Sequence, residues 1–278
     1  MNKNIKVIIS DLDGTLLNQH HTIAEFTKIV LREMHEQGYL IIIATGRHHL
    51  DAIPIVDTLG FPTYLVTSNG ARIHDPNRDL IFATNMESEA VKAVLSIERD
   101  PEITTVLFKE TVWQTSKNNP KVNSFQTKMN YIPEVVNFDI IEDFTAIKVF
   151  FTHEKHSTLV ALRDRIVASH SHLFNHAFSL PHCLEFMDKS VDKSVAIRKI
   201  LDLENLSFDQ AISFGDGYND EEMLRATGKG LLMSNAPESL KSKLSHLETI
   251  EPNSEDGVAK YLLVNFLSNK NNLKLINI

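Results

Sequence analysis

Short unbroken apolar runs separated by helical windows dominate the first eighty residues. The run 5–10 carries Val7-Ile8-Ile9, Tyr39 to Ala44 is apolar throughout, and Thr63 to Thr67 forms a third run. Runs of this kind, bounded by turn residues, suit strands covered on both faces, whereas strands with one wet face alternate. Between the first two runs, Thr22-Ile23-Ala24-Glu25 has the spacing of a capping box. Phe26, Ile29, Val30 and Met34 then recur at helical intervals until Gly38 supplies a stop. A second helix is expected over 48–59, with Pro54 near its first turn or kinking it and Gly60 at its end. Ser68-Asn69-Gly70 turns the chain after the third run.

The pattern changes near residue 84. Helical windows at Glu87–Arg99 and His156–Ser169 sit among the strand-like runs Ile103–Phe108, Val112–Thr115, Ile147–Thr152 and Cys183–Met187. Strands joined by turns, with helices on one face, predict an α+β module. Alternation returns from about 189: a helix over 193–203, a strand Ala211–Phe214, a strand Gly230–Met233 and a last helix around Val258–Phe266. The predicted fold class is therefore α/β. A Rossmann-like, doubly wound parallel sheet core (1–83 and 186–278) carries an inserted α+β module (84–185). The polar run Ser268-Asn269-Lys270-Asn271-Asn272 reads as a fraying tail.

At 278 residues and 42% hydrophobic content, the chain can bury one large core or two medium ones. Twenty-eight Lys and Arg oppose 36 Asp and Glu, a net charge of −8. That balance argues against nucleic-acid and anionic-membrane partners, which require clustered positive charge. No stretch approaches the roughly 20 apolar residues that span a bilayer, and Met-Asn-Lys-Asn-Ile-Lys lacks a signal-peptide core. Cys183 is the single cysteine, so no internal disulfide is available, and a buried structural thiol is the expectation. A cytoplasmic protein, monomeric or a small homo-oligomer, is expected.

The chemistry gathers at predicted strand ends. Asp11-Leu12-Asp13-Gly14-Thr15 follows the first run, Thr45-Gly46-Arg47 the second, and Gly215-Asp216-Gly217-Tyr218-Asn219-Asp220 the late one. Lys193 opens the helix after the insertion. In open α/β sheets ligands bind beyond the carboxyl ends of strands. Asp11, Asp13, Asp216 and Asp220 gathered there would repel one another unless a cation sat among them. Mg2+ takes oxygen ligands of this kind together with phosphate oxygens. A hydroxyl, a lysine and backbone N–H groups would hold an anionic phosphate, so the set specifies phosphoryl transfer.

These four strings, in order, resemble the motifs of the haloacid dehalogenase superfamily. The insertion between the second and third resembles the large α/β cap of its Cof-type phosphatases. Ala44-Thr45-Gly46-Arg47, Ser68-Asn69-Gly70-Ala71, Ser234-Asn235-Ala236 and Glu255-Asp256-Gly257-Val258 extend the resemblance from residue 5 to about 265. Arg47-His48-His49, Lys148-Val149-Phe150-Phe151-Thr152 and Gly228-Lys229-Gly230 look most like a bacterial member acting on pyridoxal phosphate, with sugar phosphates the other leading substrates. The resemblance implies that Asp11 attacks phosphorus and that Asp13 serves as acid and then base. Asp11, the Asp13 carbonyl and Asp216 would bind magnesium, with Asp220 and Asn219 orienting Lys193 or metal-bound water. Thr45, Lys193 and the N–H groups around Leu12 and Gly46 would hold the phosphoryl oxygens of a small phosphorylated metabolite. Superfamily ion pumps resemble the first motif but carry Thr where Asp13 stands, so an acid/base there favours hydrolysis. A phosphomutase and a non-catalytic ligand sensor are the alternatives.

Ser194 departs from the Gly that follows the third-motif lysine in many relatives, and Lys189 competes with Lys193 for its role. Arg47 and Asn69 are expected to line the crevice. His48-His49 are expected to cap the next helix or face solvent. His20-His21 and His170-Ser171-His172 read as loop residues, Tyr218 as a surface ring, and Trp113 either as packing or as a platform for substrate.

Overall fold

The computed structural model describes residues 4–120, 122 and 133–267; the tail at 268–272 lies outside them. Strand β1 (Val7–Ser10) occupies the middle of an eight-stranded sheet. The chain proceeds through α1 (Glu25–Glu36), β2 (Leu40–Ala44), α2 (His49–Val56) and β3 (Tyr64–Thr67) to an antiparallel hairpin, β4 (Arg72–His74) and β5 (Leu80–Ala83). After α3 (Ser88–Ser96) come β6 (Thr104–Phe108), β7 (Trp113–Thr115), β8 (Glu134–Val135), β9 (Lys148–Thr152), α4 (His156–His170), β10 (Phe174–Leu180) and β11 (Cys183–Asp188). These six strands form a second sheet in the order β10-β11-β9-β6-β7-β8. The chain returns to the first sheet through α5 (Lys193–Leu203), β12 (Ala211–Gly215), α6 (Glu221–Ala226), β13 (Lys229–Met233), α7 (Glu238–Lys243), β14 (Glu248–Ile250) and α8 (Gly257–Leu262).

The first sheet runs β14-β13-β12-β1-β2-β3-β4-β5, parallel through the first six strands. Its strands are apolar without alternation because helices cover both faces. Ile8, Ile41 and Ile43 pack with Val30, Leu31 and Met34 of α1 and with Leu262 of α8. Val7, Ile9, Ile42 and Ala44 pack on the opposite face against Ala196, Ile197 and Ile200 of α5. Each of the fully buried Ile and Leu side chains contributes ~2 kcal/mol through burial.

The second sheet is covered by helices on one face only. Val149, Phe151, Leu184 and Phe186 meet Val91 and Val94 of α3 and Leu159 and Leu162 of α4. The alternate residues Phe150 and Met187 point the other way and pack with Phe108, Trp113, Ala71 and Val191. Trp113 stacks on Phe108 with ring centroids 4.2 Å apart, so its ring is packing between the two sheets.

One expectation is corrected, and of the two alternatives for His48-His49, capping holds for His48. The Thr22/Glu25 capping box does not form: Thr22 Oγ1 donates to Asn18 Oδ1 at 3.1 Å in the preceding turn, and Ala24 caps α1 with its backbone alone. His48 and His49 do not face solvent, since both are buried. His48 Nδ1 accepts from the Leu50 amide at 3.2 Å as the cap of α2, and its Nε2 lies 2.9 Å from the Lys109 carbonyl of the second sheet's module.

Candidate active site

Asp11 follows β1 where the strand order changes direction, with β2 on one side and β12 on the other. The crevice beyond such a switch point is open at the strands' carboxyl ends. The Asp11 amide donates to the Phe214 carbonyl at 3.0 Å, fixing the carboxylate over the sheet. Gly14 then turns the chain at φ 77°, and a Cβ there would collide with the Asp216 carboxylate. That approach lets Thr15 Oγ1 donate to Asp216 Oδ1 at 2.9 Å. Asn235 Nδ2 donates to the Gly14 carbonyl at 2.8 Å and lies 3.4 Å from Asp216 Oδ2.

Lys193 opens α5, capped by the Asp192 carboxylate, which accepts from the Ser194 amide at 2.6 Å. Its ammonium is fully buried between Asp11 Oδ1 at 2.7 Å and Asp220 Oδ1 at 2.6 Å. Asp220 Oδ2 accepts from the amides of Asp216 and Gly217 at 3.0 and 2.9 Å. Burial alone would lower the Lys193 ammonium, but Asp11 and Asp220 outweigh it and hold it above its ordinary range. Burial pushes Asp11 well up against the pull of Lys193, helped by Asp220, Asp216 and Asp13. Burial and the Asp220 carboxylate push Asp216 up to about 7, opposing the Thr15 hydroxyl. The site is short of positive charge.

Among the described residues, Asp11, Asp216 and Asp220 form the one group of three whose ligand atoms lie within 4.8 Å of one another. All three offer hard oxygen donors, the chemistry that suits Mg2+. The Asp13 carboxylate lies outside this group and remains 42% exposed. Arg47 Nε and Nη2 grip it as a fork, each at 2.6 Å, while Nη1 binds Asp51 at 2.6 Å.

The strand-end loops are tied to one another. The Asn69 amide donates to the Thr45 carbonyl at 3.0 Å and the Ser68 amide to the Arg47 carbonyl at 2.8 Å. Ser68 and Asn69 hold left-handed φ values of 49° and 57°, at a cost of order 1 kcal/mol each. This aims the Asn69 side chain at Asn219, whose Nδ2 donates to Asn69 Oδ1 at 3.0 Å. Leu12 and Thr45 are buried in the same region. A cavity of about 150 Å³ opens beside Lys193, lined also by Asn69, Asn175, His176 and Tyr218. A larger one of about 280 Å³, at Glu102 and His153, meets none of these groups.

Two buried residues escaped the sequence reading. Lys148 Nζ donates to the Gly46 carbonyl at 2.9 Å and to Glu185 Oε1 at 2.8 Å, while Asn69 Nδ2 donates to Glu185 Oε2 at 2.7 Å. Their signal was a charge at the start of one apolar strand and in the middle of another, positions where a charge is rarely buried unless it is paired.

The chain belongs to the haloacid dehalogenase-like hydrolase family, whose sequence profile matches residues 8–262. A protein of Buchnera aphidicola subsp. Baizongia pistaciae, provisionally named a phosphatase, is 37% identical over 257 residues, covering 92% of this chain and 96% of its own. The HMP-PP phosphatase of Yersinia pseudotuberculosis serotype O:1b is 32% identical across 91% of this chain and 92% of its own. A haloacid dehalogenase-like hydrolase from Bacteroides thetaiotaomicron superposes with a TM-score of 0.80 at 24% identity, covering 94% and 100% of the two chains. Among the described residues no helix is long and apolar enough to cross a membrane.

Proposed function

We propose that this protein is a magnesium-dependent phosphatase of small phosphomonoesters that works through an aspartyl-phosphate on Asp11. The observation that carries the reading is the Lys193 ammonium held between Asp11 and Asp220, inside a carboxylate cluster short of positive charge. Relatives named as phosphatases, one of them for HMP-PP, support a small phosphorylated substrate. Asp11, Asp216, Asp220 and the Asp13 carbonyl would hold Mg2+, which when bound supplies charge neutralisation for the phosphoryl group.

The chain's own residues then divide the work. Lys193 opposes the rise of Asp11 and, with the bound cation, would hold it as the carboxylate while taking up phosphoryl charge, and the Thr45 hydroxyl with the N–H groups of Leu12 and Gly46 completes the cradle. A carboxylate oxygen of Asp11 bonds to phosphorus as the ester bond breaks, and Asp13 protonates the departing alkoxide. Asp13, now ionised, removes a proton from water as that water attacks phosphorus and frees Asp11. In this structure Arg47 grips both Asp13 oxygens. One arm of the fork would let go to leave an oxygen for the proton that Asp13 donates, while the other arm keeps Asp13 oriented for both transfers. Pyridoxal phosphate and sugar phosphates are the leading substrates, with the alcohol portion seated in the cavity beside Lys193 under the inserted module (84–185), which acts as a cap. The enzyme would work in the cytoplasm.

The test is phosphate release from pyridoxal phosphate, hexose phosphates, HMP-PP and a nucleotide, with and without magnesium. Magnesium-dependent release that Asp11→Asn lacks is the expected result. Isomer exchange without release would make the protein a phosphomutase, and binding without turnover a sensor.

A further inference from the structure

The phosphate loop at 45–47 is held from the opposing sheet. The Gly46–Arg47 peptide is pinned on both sides: its carbonyl accepts from Lys148 Nζ at 2.9 Å, and its N–H donates to Thr45 Oγ1 at 3.1 Å. The next atoms along the chain are those of Arg47, whose guanidinium forks onto Asp13. Lys148 is itself fixed. It lies 2.8 Å from Glu185 Oε1 and 4.7 Å from the centroid of the Phe108 ring, and both charges are almost completely buried. Glu185 accepts further bonds from Ser179 Oγ at 3.1 Å and Asn69 Nδ2 at 2.7 Å.

Strand register explains how the pair meets. Lys148 on β9 and Glu185 on β11 both point away from the covering helices, because Val149, Phe151, Leu184 and Phe186 occupy the helix-facing positions. A buried ion pair adds little net stability over apolar replacements, so its value lies in what it orients. Here it aims an ammonium at a single carbonyl of the phosphate loop.

We propose that Lys148, held by Glu185, is a positioning residue for the reaction at Asp11: by fixing the Gly46–Arg47 peptide it sets the Arg47 fork on Asp13. The assignment rests on the functional reading above. It makes the cap part of the acid/base machinery without touching the reacting atoms. Displacement of the cap would release the carbonyl and with it the register of Arg47.

The pair Lys148→Met/Glu185→Gln removes the contact while leaving neither charge stranded. Phosphate release is measured for this variant in the wild-type background and in Asp13→Asn, with thermal melts to confirm folding. A kcat about 10²-fold lower is expected in the wild-type background, the scale of a ~1 Å misplacement. With Asp13→Asn present the further loss should be within about 2-fold, because the orienting contact then has no acid/base to serve. Equal fold-losses in both backgrounds overturn the assignment, as does an unchanged kcat in the folded variant. Where that pair prevents folding, the apolar pair Lys148→Leu/Glu185→Met, which also strands no charge, enters the same cycle under the same criteria. Absence of release by the wild-type protein is a separate failure: it removes the reaction and the role together.

Discussion

Among the described residues two lysines are buried, and their surroundings differ in one respect. Lys148, in the seam between the sheets, meets one carboxylate and one carbonyl, so its charge is balanced. Lys193, in the strand-end crevice, meets two carboxylates with a third, Asp216, beside them. The seam is electrostatically finished by the protein alone. The crevice is not, and its carboxyl groups rise toward protonation instead. A balanced buried pair fixes geometry, whereas an unbalanced cluster is prepared for charges that arrive from outside.

The strongest way to break this contrast is Lys193→Met. It leaves Asp11 and Asp220 facing each other without a cation, so turnover should vanish. Stability should fall by ~3–5 kcal/mol, as when one partner of a buried pair is removed, and urea unfolding would measure it. Unchanged stability would mean that the crevice carboxylates are protonated in the folded protein. Next comes Asp13→Asn, which deletes the proposed acid/base while leaving the Lys193 network intact. Phosphate release should slow by about 10²–10⁴-fold, with little change in the melting temperature. A loss below 10-fold would remove Asp13 from that role.

The smallest effect concerns the histidines at the seam. Burial lowers His74 to about 4, with the His49, Arg78 and Arg72 charges adding to it and Glu110 opposing. Burial lowers His48 to about 3, aided by His49, Lys148 and Arg72 and opposed by its bond to the Lys109 carbonyl. The unfolded chain protonates these rings below their ordinary 6.5, while the folded chain resists until the lowered values. The unfolded state therefore binds more protons in that window. Stability should fall with pH from 6.5 toward 4, by ~1.4 kcal/mol per pH unit for each ring. His74→Gln should flatten part of that slope in denaturant titrations at pH 6 and pH 5. An unaltered slope would show that His74 does not contribute.

Much of this was legible in the chain. β1, β2 and β3 announce themselves as unbroken apolar runs because both their faces are covered, and α5 runs over the expected 193–203. Other strands gave weaker signals. β5 is an edge strand with Leu80 and Ile81 exposed, β14 has only three residues, and β10 is half-buried with polar residues on both faces. β11 continues to Asp188, past the position 185 at which sequence pattern ended the insertion, because its last residues still pair with β10. In the crevice, Asp11, Asp216, Asp220 and Lys193 were readable from their places at strand and helix ends, and the structure brings them together. The Lys148–Gly46 contact was not, since it joins residues 102 apart through a sheet register that local pattern does not encode. The Arg47 fork on Asp13 was likewise hidden, because spacing places a residue at a strand end without saying what its side chain grips.

The most direct test of the central claim is a single turnover quenched in acid, with mass analysis of the peptide that carries Asp11. Asp13→Asn with p-nitrophenyl phosphate is the combination of choice, because that leaving group departs without protonation and only water attack then needs Asp13, so the intermediate accumulates. The account predicts one added phosphoryl group on that peptide, absent when Asp11→Asn is introduced as well. Turnover with no adduct there, or an adduct that survives Asp11→Asn, would contradict it.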